Sequence, residues 1–209
     1  MKRLAGKTAL ILFVFLAGMG TFAMGLKKPD AFAAGLSEKS LAFGDMESSS
    51  EVYIVTDWFC PSCRAAEPEI LKGARKAMQQ AKVVFVDYPI HPETLNYIPY
   101  NLSFIIREKE KYLQIRESLA TLARKTKEPM PEDIQAAVSP LGVKYVPLNY
   151  VDVLAGMQYF STLVKKFKVP GTPSVVVQDS RSGKTKTLYG STEITSDNIL
   201  KTLAEVSGK

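Results

Sequence analysis

Cys60 and Cys63 are the only cysteines in the 209-residue chain, and just Pro61 and Ser62 separate them. A disulfide stabilises a fold most when it closes a long loop, so a bridge around two residues would contribute little as a staple. With one histidine in the whole chain, the pair cannot complete a structural zinc site of four cysteines, or of two cysteines and two histidines, within a single molecule. Reversible opening and closing of a short disulfide is the use that this spacing leaves.

The flanking sequence says how such a pair would work. The run from Glu51 to Asp57 (EVYIVTD) is dominated by β-branched and aromatic residues and predicts a buried strand. It leads into Trp58, Phe59 and Cys60, where a helix is expected to begin and to continue to about Gln80. Unpaired backbone N–H groups and the positive end of the helix dipole favour an anion at that edge, and the anion a cysteine offers is a thiolate. Pro61 fits the first turn, because the N–H it lacks has no partner within a helix. Arg64 adds a nearby positive charge, Ser62 can donate a hydrogen bond, and Cys63, one turn on, is within reach of Cys60. The roles that follow are attack by Cys60 and resolution by Cys63.

Two further motifs agree with this pair. Pro68 stands eight positions after Cys60, and the run from Val169 to Val177 (VPGTPSVVV) carries Thr172-Pro173 ahead of a strand. In these features the chain resembles the thioredoxin superfamily, and with a helical insertion entered after the strand ending near Tyr88-Pro89 and left just before the Thr172-Pro173 loop it is similar to DsbA-like exported thiol:disulfide oxidoreductases. The resemblance implies an α/β architecture, a thioredoxin fold with a helical insertion, and a helix kinked at Pro68. It also implies a cis Thr172-Pro173 bond beside the sulfurs, against a base rate of about 5–6% for X–Pro bonds. Thr172 would then present its backbone to an extended substrate peptide as an added strand, and Pro173 would block metal capture. No cofactor is implied beyond the redox-active disulfide Cys60–Cys63.

On this reading residues 40–92 and 168–209 are the two halves of one thioredoxin fold, and residues 93–167 are the insertion. The first half carries a short strand near Ser40 to Phe43, the strand before the cysteines, the helix from Cys60, and a strand from Val83 to Tyr88. The second half carries a strand from Ser174 to Gln178, a turn at Ser180 to Gly183, a strand from Thr185 to Tyr189 and a helix from Ser196 to Val206. The insertion is expected to be helical, over Lys111 to Lys125, from Pro131 onward, and along a face formed by Leu154, Met157, Val164 and Phe167.

Departures from the family pattern matter as much. Ile54 stands six residues before Cys60, where many relatives carry a buried acid; Asp57 is the nearest acid. Glu67, seven residues after Cys60, becomes the candidate proton acceptor for Cys63, with an exposed helix-face charge as the alternative. Ser62 replaces the histidine frequent in DsbA-type oxidants, and Trp58 is placed to shield the disulfide. His91 is expected to be an exposed loop residue; a copper carrier of the Sco type would need it to converge with both cysteines.

Residues 1–33 are basic at Lys2, Arg3 and Lys7 and uncharged from Thr8 to Leu26, with Ala31-Phe32-Ala33 beyond. That is an export signal with a small-residue cleavage pattern, or an uncleaved anchor, since 19 uncharged residues are enough to span a bilayer. Either directs residues 34–209, the thioredoxin-like domain, to an extracytoplasmic compartment such as the periplasm, where disulfides persist. Most of the formal charge of +6 lies in that leader, so nucleic acid is not an expected partner. The expected partners are exported substrate proteins and a redox partner, soluble or membrane-bound, that resets Cys60–Cys63. An oxidase is the leading expectation. An exported reductase, including the type that serves cytochrome c assembly, is the runner-up, ahead of a copper-delivering protein and a peptide-binding chaperone without redox cycling.

Overall fold

The computed structural model describes residues 36–208, so the expected export signal or anchor lies outside the described residues. The centre is a five-stranded mixed sheet in the order β1-β3-β2-β4-β5. Its strands are β1 (Ala42–Gly44), β2 (Ser50–Thr56), β3 (Lys82–Asp87), β4 (Ser174–Asp179) and β5 (Thr185–Tyr189). β2 is buried throughout its length, as a strand with neighbours on both edges and cover on both faces should be. It pairs in parallel with β3 and antiparallel with β4.

The parallel β2–β3 pair requires a crossover, supplied by α2 (Pro61–Ala77). α2 packs against α7 (Ser196–Ser207), and both lie on the sheet. Between β3 and β4 come a 3-10 turn at Pro92–Asn96 and then α3 (Ile98–Arg107), α4 (Tyr112–Ala123), α5 (Pro131–Val138) and α6 (Tyr150–Lys166). One hydrophobic core runs from the sheet into these helices, joining Val52, Phe85 and Val176 to Leu102, Ile115 and Phe160. The result is the expected thioredoxin fold with added helices.

Three local expectations need correction. The segment near Ser40 is first a helical turn, α1 (Glu38–Leu41), because Ser37 and Ser40 cap each other's backbone N–H groups; only then does β1 begin. α3 was not anticipated as a separate helix. α6 buries Val153, Gly156, Tyr159, Phe160 and Leu163, whereas Leu154 is 36% exposed and Met157, Val164 and Phe167 are only partly buried. Gly156 explains the choice of face: a Cβ there would sit 2.7 Å from the Leu102 side chain of α3, so the helices meet where this one lacks a side chain.

Gly44 ends β1 with φ +86°, and a Cβ on it would lie 2.5 Å from the Ala81 carbonyl oxygen. Both the left-handed backbone and the contact with a main-chain atom exclude other residues. Gly44→Ala is expected to cost about 2 kcal/mol or more, read as a lower urea midpoint with an unchanged slope.

Candidate active site

Cys60 is the N-cap of α2, in extended conformation, with Pro61 at the first helical position. Its carbonyl accepts the first intrahelical bond, from Arg64 N–H at 3.1 Å. Both cysteines are free thiols and buried, Cys60 at 8% and Cys63 at 3% exposure. The Cys60 thiol faces the Thr172 carbonyl oxygen at 3.5 Å, and the Thr172-Pro173 bond is cis. Two segments 112 residues apart thus meet at the Cys60 sulfur. The Cys63 sulfur accepts from Asp57 N–H at 3.4 Å. Burial pushes the Cys63 thiol up to about 12, against the opposing pull of the Asp57 N–H and the Thr172 hydroxyl.

Asp57 organises this turn. Its carboxylate is fully buried, and Oδ1 accepts from Phe59 N–H at 2.8 Å, Cys60 N–H at 3.1 Å and the Thr94 hydroxyl at 2.8 Å. Oδ2 accepts from His91 N–H at 2.7 Å and lies 3.1 Å from His91 Nδ1. Such saturation offsets the desolvation of a buried charge and fixes the loop before α2 to the loop after β3. His91, expected to be an exposed loop residue, is therefore a partner of the residue that shapes the turn before α2. Among the described residues no group of His, Cys, Asp and Glu is arranged to hold a metal ion.

A second polar cluster lies under Trp58. Arg116 of α4 is 2% exposed and meets Glu67 Oε1 at 2.7 Å through Nε. Its Nη2 donates to the Thr56 hydroxyl at 2.9 Å, and its guanidinium lies 4.8 Å from the Trp58 ring centre. Burial works against the Arg116 charge, but Glu67, Tyr112 and Asp87 outweigh it and hold the proton more firmly than usual. Asp87 Oδ2 accepts from Asn101 at 2.8 Å, and Asn101 in turn accepts from Tyr112 at 2.9 Å. The Trp58 indole N–H is directed toward Asp87 without reaching hydrogen-bond geometry.

These contacts locate each residue singled out in the sequence. Cys60, Cys63, Pro61, Thr172 and Pro173 come together. Ser62 is exposed on the first turn of α2. Arg64 directs its guanidinium to the carbonyls of Trp58 at 3.0 Å and Ala123 at 2.9 Å, so it ties α2 to the end of α4. Glu67 is engaged by Arg116, and no hydrogen bond joins it to Cys63. Trp58 stacks on Tyr97 with centroids 5.6 Å apart. Sequence reasoning missed Arg116 and Asp87; a charged residue amid apolar helix positions in QIRESLA and an acid ending a buried strand were the available signals.

The thioredoxin family model matches residues 36–194, and the chain belongs to that family. No curated relative matches by sequence. Among solved structures, a periplasmic thioredoxin-like protein from Salmonella enterica serovar Typhimurium superposes with a TM-score of 0.63 at 17% identity, covering 87% of this chain and 98% of that one. BdbD from Bacillus subtilis gives 0.59 at 16% identity, covering 83% and 96%. Pseudomonas aeruginosa DsbA2 gives 0.56 at 12% identity, covering 79% and 93%. The fold is DsbA-like, and with its paired cysteines the chain is a thiol:disulfide oxidoreductase.

Burial raises Asp87 from its ordinary 3.8 to about 6, against the lowering effects of Arg116, Asn101 and Trp58. A raised acid keeps its proton in the fold after the unfolded chain has released it. Its contribution to stability is therefore full below pH 3.8 and lost as pH rises through about 6. At 1.36 kcal/mol per unit the loss is about 3 kcal/mol. Asp87→Asn removes this dependence. Its unfolding free energy relative to the parent should grow by about that amount between pH 4 and 7; a constant difference in denaturant titrations would contradict the assignment.

Proposed function

We propose that this protein exchanges disulfides with exported proteins in an extracytoplasmic compartment, chiefly as an oxidase, using Cys60 and Cys63 and no other redox cofactor. The single observation that carries this is the meeting of Cys60, at the start of α2, with the cis Thr172-Pro173 segment. In the oxidising direction a substrate thiolate attacks Cys60 Sγ of the Cys60–Cys63 bridge. A substrate–Cys60 disulfide forms, and Cys63 leaves and takes up a proton. A second substrate thiolate then attacks the substrate sulfur and releases Cys60. The substrate loses two electrons and two protons, and the protein gains them as its dithiol. A redox partner, soluble or membrane-bound, must then remove those electrons to restore the bridge.

The deep burial of Cys63 suits the final state, because a thiol held neutral at that position is a poor nucleophile toward the mixed disulfide until its proton is removed. Thr172 supports substrate docking. Its carbonyl faces Cys60 at 3.5 Å, where a peptide strand laid along the loop would bring a cysteine to the sulfur.

One observation favours the reductive direction. The elevated Cys63 is a poor leaving group when the bridge is opened, and a slower-leaving sulfur favours the closed disulfide. Equilibration with glutathione buffers decides between the directions: an oxidase should be fully reduced at a potential where thioredoxin, near −270 mV, stays oxidised. For the exchange itself, Cys60→Ser is expected to abolish insulin-disulfide reduction, while Cys63→Ser accumulates covalent protein–substrate complexes on non-reducing gels. Undiminished turnover by Cys60→Ser would contradict the mechanism.

A further inference from the structure

Beside the redox turn lies an open groove of about 320 Å³ whose walls are Phe59, the neighbour of Cys60, and the segment that follows α4. Arg64, Arg124, Lys125 and Lys127 line it, and Glu93 is the one acid among the lining residues. Among the described residues the Arg64 guanidinium bonds to the backbone carbonyls of Trp58 and Ala123 and lies over the Phe59 ring, with no carboxylate in ion-pair contact. Lys127 pairs with Glu93 at 2.5 Å. Arg124 is exposed, as is Lys125, which also borders a second groove carrying Glu117 and Asp133. His91 completes the wall, with Nδ1 turned to Asp57.

The local excess is large for this molecule. Residues 34–209 carry 22 basic and 20 acidic side chains, while this groove alone sets four cations against one acid. Basic residues at the end of α4 also complement the helix dipole. That accounts for Arg124 and Lys125, which follow α4, but not for Arg64, which belongs to α2. Cations from α2 and from the segment that follows α4 therefore converge on one concavity that reaches Phe59, the residue before Cys60.

We propose that this groove selects substrate segments bearing carboxylate side chains close to their target cysteine. An acidic residue placed there would pair with Arg64 or Arg124, which have no carboxylate partner among the described residues. Charge complementarity at the rim of a site acts mainly by steering encounter and fixing register, and it weakens with salt. The groove thus gives a preference among substrates, separate from the bond exchange at Cys60, and it rests on the oxidoreductase function proposed above.

The test uses the oxidised protein and dicysteine peptides identical except for a Glu-Glu, Gln-Gln or Lys-Lys pair flanking one cysteine. Each rate of dithiol oxidation is divided by the rate of the same peptide with the uncharged hydroxyethyl disulfide, which removes differences in peptide thiol reactivity. The expected Glu-over-Lys preference is about tenfold in 50 mM salt, shrinking below about twofold in 0.5 M salt. The exposed double variant Arg124→Glu/Lys127→Glu should reverse the order, with its Gln-Gln rate reporting that the protein is folded and competent. Equal rates for the three peptides, or a preference that survives charge reversal, would overturn the inference while leaving the exchange function standing. Failure of every peptide to exchange would overturn both.

Discussion

A single buried carboxylate holds the redox turn in shape. Asp57 sits at the end of β2, accepts from the backbone of Phe59 and Cys60, and reaches across to His91 and Thr94. Its own N–H goes to Cys63. Hydrogen bonds to a charged group contribute about 1.5–3 kcal/mol each, and together they offset the several kcal/mol lost on taking a carboxylate out of water. Because the donors come from both sides of α2 and β3, the position of Cys60 depends on the strand behind it and on the loop that opens the helical insertion.

The two sulfurs consequently occupy unlike environments. Cys60 caps a helix and meets the Thr172 carbonyl; Cys63 is enclosed one turn further on, with its thiol raised to about 12 by burial. The insertion braces the elements that carry the two cysteines. From α4, Arg116 grips Glu67 on α2 and Thr56 on β2 and lies over Trp58. Arg64 returns the contact by reaching the last turn of α4. The insertion is thus tied to the elements that flank the cysteine-bearing turn, and it also supplies Arg124, Lys125 and Lys127 of the cationic groove beside it.

What the sequence disclosed was local. A β-branched run, a proline in the first helical turn and the Ser182-Gly183 turn each announce their structure within a few residues, and β2, α2 and the β4–β5 hairpin lie close to their expected places. The cis Thr172-Pro173 bond followed from family likeness, since its proximity to Cys60 spans 112 residues. The misses share a cause. His91 and Asp57 are 34 positions apart, Arg116 and Glu67 49, and no periodicity encodes such pairings. The buried face of α6 went astray because Gly156, neutral in a hydrophobic pattern, is where α6 makes room for Leu102 of α3.

The most direct measurement is the order in which the two thiols of the reduced protein react with limiting iodoacetamide at pH 7, with the labelled cysteine mapped by mass spectrometry. A thiol raised to about 12 is ionised to only about one part in 10⁵ at that pH. Labelling at Cys60 should therefore outpace Cys63 by at least about tenfold. Equal labelling, or faster labelling at Cys63, would contradict the division of roles on which the mechanism rests.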